Sequence, residues 1–487
     1  MKRLVGLWLG SAIFIILLIL PAPEGLDPAA WKTAAVALLM ATWWITEAIP
    51  IAATSLLPIV LFPILGVQGI SDSTTPYANP LIFLFMGGFM IALAMQSWML
   101  HKRIALNIVS FIGTKPSSIL IGFIIAAAFL SMWVSNTATA LMMLPIALSV
   151  IQIAEDNSEK GALVNTNFGL VLVLCIAYAC NIGGIGTLIG TPPNALAAGF
   201  MMDLYDYDIS FVRWMAAGLP IVIIGLPIMY LLLTKVIYPV TLKELPGGDD
   251  LIQNELDKLG TISRPEIRVA FVFTAAALLW ITRPLIENVL PGISDAGIAI
   301  TAGVTLFLIP SGSKQQSTLA IWEDMKDLPW GVLILFGGGL SLAGAISSSG
   351  LADWIGAGIS GLGFLPIIVM LLTAIGIIVF LTEITSNTAT AAAFVPILAS
   401  AALALGQDPL LFVIPAVIAA SCAFMLPVAT PPNAIIYASG EVSMFQMTKA
   451  GVWLNITFIL FITLAAYTFI GWIYGIEIGE IPAWALN

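Results

Sequence analysis

Apolar stretches long enough to cross a bilayer recur along this chain from residue 4 to residue 474, and no other feature constrains the fold as strongly. A hydrocarbon core about 30 Å thick takes about 20 apolar residues per helix. Of the 487 residues 60% are hydrophobic and only 9% charged, whereas soluble domains carry about 25% charged residues. The sequence therefore reads as an all-α polytopic membrane protein, with no segment long and polar enough to form a separate soluble domain. Met1-Lys2-Arg3 followed by the apolar run 4–20 imitates a signal peptide. The run is long, however, and Pro21-Ala22-Pro23 is a poor cleavage site, so it is read as a retained first helix.

Two apolar segments, 117–154 and 364–405, are about twice the length of one span, and each is interrupted by Ser-Asn-Thr. Re-entrant hairpins with polar tips suit them. The segments 163–202 and 410–439 are interrupted by Thr-Pro-Pro-Asn instead, which suits one broken helix each. These interruptions repeat in order. Leu84-Phe85-Met86-Gly87-Gly88 returns as Leu335-Phe336-Gly337-Gly338-Gly339, and Ser135-Asn136-Thr137-Ala138-Thr139-Ala140 as Ser386-Asn387-Thr388-Ala389-Thr390-Ala391, both displaced by 251 residues. Thr191-Pro192-Pro193-Asn194 returns as Thr430-Pro431-Pro432-Asn433, displaced by 239 because the first half carries an extra polar loop around Glu155 to Lys160. Three ordered pairs mark a duplication.

Charge orients the halves. With a cytoplasmic N-terminus and two hairpins that do not cross, the chain makes about eleven crossings of a ~30 Å core. All of the 17 Lys and Arg except Lys32, Arg213 and Arg283 then fall on the cytoplasmic side, as the positive-inside rule asks. The C-terminus lies outside, as do the acidic residues Asp203 to Asp208. The first hairpin enters from the cytoplasm and the second from the opposite face, so the repeats are inverted. The expected organisation is N-terminal helices over 1–50, a first repeat over 51–240, a cytoplasmic linker over 241–266 and a second repeat over 267–487. Inverted repeats with discontinuous helices belong to secondary transporters, whose sites lie near the midplane at the repeat interface.

Backbone leaves the helix inside the membrane only where protein or a water-filled cavity satisfies the freed groups. Both Ser-Asn-Thr tips are therefore expected to face a site. Hydroxyls, an Asn carbonyl and freed backbone carbonyls are hard oxygen ligands suited to Na⁺, and neighbouring helix N-termini suit an anion. Each Thr-Pro-Pro-Asn stops the helix and exposes the carbonyl before it, that of Gly190 or Ala429. Ser131 and Thr382 stand four residues before Ser135 and Ser386, on the same helix face, as additional cation ligands. Glu383 at membrane depth could add charge near a cation, carry a proton or pair with a buried donor. Glu47 reads as structural, and His101 as a membrane-surface residue beside Lys102 and Arg103.

Other chemistries lack their residues. Cys175, Cys180 and Cys422 fall in apolar segments and read as buried thiols rather than a disulfide framework or a metal site. The formal charge of −10 gives nucleic-acid binding no support. His-Glu-x-x-His and Gly-x-Ser-x-Gly are absent, so an enzyme is not expected. The four motifs hold no Lys or Arg, so an anion bound there depends on a coupling cation, which is a physical route to symport.

With these motifs the chain resembles the divalent anion:sodium symporter family, from Trp43-Trp44-Ile45-Thr46-Glu47-Ala48-Ile49-Pro50 to the second Thr-Pro-Pro at Thr430. The resemblance implies uptake of di- or tricarboxylates with Na⁺, through one cation site of Ser131, Ser135, Asn136 and the Gly190 carbonyl. A second site takes Thr382, Ser386, Asn387 and the Ala429 carbonyl. Substrate carboxylates meet Asn136, Thr137, Asn387 and Thr388, with Thr191, Pro192, Thr430 and Pro431 nearby. It also implies a homodimer in the lipid of a bacterial cytoplasmic (inner) membrane, working by an elevator motion. Anion exchange, and citrate or sulfate as substrate, are the alternatives within the family.

Overall fold

A computed structural model of the protein describes residues 2–113, 115–156, 167–242, 248–314, 316–360 and 365–486. Among them all regular structure is helical, apart from an isolated antiparallel bridge between Pro310 and Thr318. Seven described helices are long and apolar enough to cross a membrane, and seven further apolar helices are shorter. The shorter ones include the first arms of the two hairpins, Pro116–Ser131 and Ile367–Thr382, and the first piece of the second break, Leu410–Ala420.

Both tips interrupt the helix where Ser-Asn-Thr stands. Pro116–Ser131 stops, residues 132–135 turn, and Asn136–Asp156 begins at the Asn. Likewise Ile367–Thr382 stops and Asn387–Ala404 begins, again at the Asn. The breaks are longer than the prolines alone require. Asn167–Gly183 tightens into a 3₁₀ turn over Gly184–Gly186 and unwinds before Pro192–Tyr205 starts. Leu410–Ala420 likewise gives way to irregular backbone until Pro431–Ala438. In both cases a Pro occupies the first helical position, where its missing N–H leaves no bond unmade.

The halves pack reciprocally. Pro192–Tyr205 lies against Asn387–Ala404 of the other half, and Pro431–Ala438 against Asn136–Asp156. Asn167–Gly183 touches Pro431–Ala438, and Leu410–Ala420 touches Pro192–Tyr205. Asn167–Gly183 is apolar on all sides, as a helix buried all round must be, and every residue from Phe168 to Gly183 is buried.

Several elements depart from the sequence reading. The apolar run 51–65, with which the first repeat was expected to open, is two helical pieces, Ile51–Thr54 and Leu57–Leu65, separated at Ser55, whose hydroxyl donates to the Ile51 carbonyl and accepts from the Trp44 indole. Leu100–Ile112 and Leu351–Ser360 are helices of their own, again 251 residues apart at their starts. Leu100–Ile112 buries Leu100, His101, Ala105, Leu106 and Val109. The linker holds a helix, Gly248–Leu259, packed on Leu100–Ile112 with Ile252 buried. Lys160, Lys243, Phe364 and residues 163–166 lie outside the described residues.

Candidate functional site

The two tips and the two breaks meet around one cavity of about 1030 Å³. Its wall includes Ser135, Asn136 and Thr137 from the first tip and Ser386, Asn387 and Thr388 from the second. Gly190, Thr191 and Pro192 join from the first break, and Ala429, Thr430 and Pro431 from the second. Ser131 and Thr382 do not line the cavity. They stand fully buried behind it, where the Ser131 hydroxyl donates to the Asn136 side-chain oxygen and Thr382 Oγ1 donates to Asn387 Oδ1 at 2.6 Å. Both asparagines thus present an oxygen held from behind by a hydroxyl.

The first oxygen cluster closes around Gly184. A Cβ added there would stand 3.1 Å from both Asn136 Oδ1 and the Gly190 carbonyl oxygen, and one on Gly190 would stand 2.4 Å from the Gly184 carbonyl oxygen. The break therefore needs glycine at both positions to bring these oxygens close to the Gly184 backbone. In the second half Thr382 Oγ1 also reaches the Ala420 carbonyl at 2.9 Å.

The final Asn of each Thr-Pro-Pro-Asn shapes its own break. Asn194 Nδ2 donates to the carbonyls of Gly184 and Thr187 at 3.0 and 2.8 Å; Asn433 Nδ2 donates to those of Ala423 and Leu426, both at 3.1 Å. These are equivalent residues at the displacement of 239, so one device is used twice. Unwound backbone inside a membrane needs such partners. Asn181 ties the halves together, donating to the Ala423 carbonyl, Thr430 Oγ1 and Asn433 Oδ1 at 3.2 to 3.3 Å. The sequence reading assigned no role to Asn181, Asn194 or Asn433. The repeated Asn of the motif was a usable signal; Asn181 offered only a lone amide in an apolar helix.

Glu383 takes the third of its expected roles, pairing with buried donors. Its Oε1 accepts from the N–H groups of Phe424 and Met425 at 2.7 and 2.9 Å, and its Oε2 from those of Met425 and Leu426, both at 3.0 Å. Asn455 Nδ2 donates to Oε1 at 2.8 Å. Met132, its counterpart, also meets the break of its own half: its carbonyl accepts from Thr187 Oγ1 at 2.5 Å and its side chain packs on Gly186. In both halves, then, the first residue of the tip braces the unwound strand.

The cavity wall also includes Arg3, Glu47, Gln96 and Asp327. Glu47 sits in the left-handed conformation that ends Pro28–Thr46 and pairs with Arg3 at 3.5 Å. Arg3 is the one basic residue on the cavity wall among the described residues, and the four motifs contribute none. His101 is not a surface residue. It is buried, and its Nδ1 lies 3.1 Å from the Met95 carbonyl oxygen.

The family model described as the sodium:sulfate symporter transmembrane region matches residues 1–476. The chain belongs to this family, the divalent anion:sodium symporters. Its relatives include a protein named sodium-dependent dicarboxylate transporter SdcS of Staphylococcus aureus (strain USA300), 47% identical over 98% of this chain and 93% of the relative. The protein of that name from Staphylococcus saprophyticus is 45% identical over the same shares. Among solved structures, the family member shares its fold with the Alcanivorax borkumensis YdaH transporter at a TM-score of 0.56, with 97% of each chain covered and 13% identity. It also shares it with Neisseria gonorrhoeae MtrF at a TM-score of 0.60, covering 97% and 96% at 13% identity. This symporter-family chain is a multi-pass membrane protein.

Proposed function

We propose that the chain is a secondary active transporter that couples Na⁺ entry to uptake of C4-dicarboxylates such as succinate, malate and fumarate. The observation that carries this reading is the meeting of two Asn-led helix starts and two Pro-led helix starts on one cavity wall. Four helix N-termini offer N–H groups and positive dipole ends to a dianion, while the oxygens behind them suit cations. Asn136, Thr137, Asn387 and Thr388 receive the carboxylates, with Thr191, Pro192, Thr430 and Pro431 beside them. One Na⁺ is held by Ser131, Ser135, Asn136 and the Gly190 carbonyl, the other by Thr382, Ser386, Asn387 and the Ala429 carbonyl. Each asparagine serves ion and substrate at once, so filling the cation sites raises affinity for the anion. The names of the staphylococcal relatives support a dicarboxylate as the substrate.

The repeats, 51–240 and 267–487 joined by the linker 241–266, are inverted in this reading. The protein works as a homodimer in the cytoplasmic membrane by an elevator motion, with its N-terminus inside and its C-terminus outside. The ends of the chain segments bearing Arg3 and Glu47 then face the cytoplasm, so the cavity opens inward. The test is ligand-dependent thermal unfolding of the full chain in neutral detergent. Succinate raises Tm in Na⁺ but not in K⁺, because a ligand stabilises only the state that binds it, and Asn136→Ala and Asn387→Ala each lose the shift. A shift of equal size in K⁺, or in both variants, overturns the assignment.

A further inference from the structure

A second cavity, of about 490 Å³, lies where the linker meets the helix Leu100–Ile112. Its wall carries three cations, Arg103, Lys258 and Arg264, against one carboxylate, Glu266. That carboxylate is already engaged, accepting from Arg103 Nε at 2.6 Å and from the Ser263 N–H at 2.7 Å. Lys258 donates to Glu255 Oε1 at 2.6 Å, but Glu255 is shared with Lys102 at 3.0 Å. Arg264 is exposed and has no ion-pair partner among the described residues. Behind it stands Arg268, which donates to the Pro310 carbonyl and lies close to the left-handed turn at Gly312. Thr261 adds an exposed residue with a hydroxyl to the wall.

Position narrows the ligand. The apolar helix Arg264–Ile286, itself long enough to cross the membrane, begins at this cavity. The cations therefore gather at the level where a bilayer's headgroups lie, and basic pockets at that level recruit anionic headgroups. A concave site with surplus guanidinium and ammonium donors matches a phosphate, whose oxygens take charge-assisted bonds from both.

We propose that this cavity binds a phosphate-bearing anion at the membrane surface, with Arg264 and Lys258 as its principal ligands and Arg103 as a fixed wall. An anionic phospholipid headgroup and a free phosphate share the required chemistry. An occupant bridges Lys258 on the linker to Arg264 at the start of the next helix, beside the helix that supplies Arg103. The Arg103–Glu266 pair and the packing of Gly248–Leu259 on Leu100–Ile112 already join these elements; an occupant adds a bridge from Lys258 to Arg264, so occupancy stiffens the joint between the two halves.

The experiment is thermal unfolding of the full chain in neutral detergent at fixed ionic strength, titrated with phosphatidylglycerol, phosphatidylcholine or inorganic phosphate. Phosphatidylglycerol raises Tm and phosphatidylcholine does not. Replacing both Lys258→Gln and Arg264→Gln raises the half-saturating concentration roughly thirtyfold, at the cost expected for two headgroup-level cations. Lys258→Gln alone, at a side chain 71% exposed and so harmless to folding, raises it roughly fivefold. A response to inorganic phosphate that the double substitution weakens in the same way supports the site with a soluble occupant. No response to either anion, or an unchanged response in both variants, overturns the proposal.

Discussion

Replacing Glu383 by Ala leaves the N–H groups of Phe424, Met425 and Leu426 without their acceptor. An orphaned buried donor costs about 1–3 kcal/mol, so Glu383→Ala destabilises the protein by at least ~3 kcal/mol. Glu383→Gln keeps the size but turns an amide toward N–H donors, and it raises the Na⁺ concentration for half-maximal succinate uptake several-fold, because Ala429 hangs on the strand Glu383 holds. Thermal unfolding and Na⁺ titration of the two variants check this; wild-type values for both in Glu383→Gln would show that the carboxylate does not brace the break. Asp408 behaves oppositely. Burial pushes its carboxyl up to about 6, against the Leu410 N–H and the charge of Arg213. A raised carboxyl favours folding while it is protonated, and that contribution fades as pH rises from about 4 through 6. Asp408→Asn retains a side-chain oxygen for the Leu410 N–H and is therefore expected to raise stability near pH 7.5 by of order 2 kcal/mol, and to change little at pH 4.5. Unfolding at the two pH values checks the sign. At this scale the sequence revealed Ser-Asn-Thr and Thr-Pro-Pro because each occurs twice. Asn181 and Asn455 occur once, and a single amide in an apolar helix has no pattern to expose it.

At the scale of elements, the hairpins were legible because their apolar runs are about twice a span and each carries one polar interruption. The breaks were legible only in part. Proline marks where the second piece starts, but not how far back the first piece unwinds, which depends on Asn433 and Glu383 reaching the carbonyls and N–H groups set free. A close approach also matters: a Cβ on Gly451 would stand 2.3 Å from Met425 Cα, so the helix Met444–Ala465 can reach the strand only through glycine. Leu100–Ile112 and Leu351–Ser360 escaped the hydropathy pattern because amphipathic helices are not uniformly apolar. The second break also exposes Val428 to the cavity, at 76% of its area, while Cys175, Cys180 and Cys422 are buried. In Val428→Cys the new thiol is therefore the one that reacts with a membrane-impermeant maleimide. Inside-out vesicles label faster than right-side-out vesicles, and Na⁺ with succinate slows labelling. Equal labelling from both sides would contradict an inward-opening cavity.

For the whole molecule, duplication was readable from residue displacements alone, and Pro192–Tyr205 and Pro431–Ala438 each pack on the hairpin of the opposite half. Which end of the site stands open was not readable, since it depends on how one half is seated against the other rather than on any motif. Arg3, Glu47 and Asp327 share the cavity wall with the tips although they are distant from them in sequence. In the proposed function, the oxygens behind the two asparagines make anion uptake depend on Na⁺. Uptake of labelled succinate into proteoliposomes tests it most directly, with an inward Na⁺ gradient compared against matched K⁺ and with no internal dicarboxylate. Accumulation in Na⁺ alone is the expected result; uptake that ignores Na⁺ and requires internal dicarboxylate would make the protein an exchanger whose oxygen clusters serve only the fold.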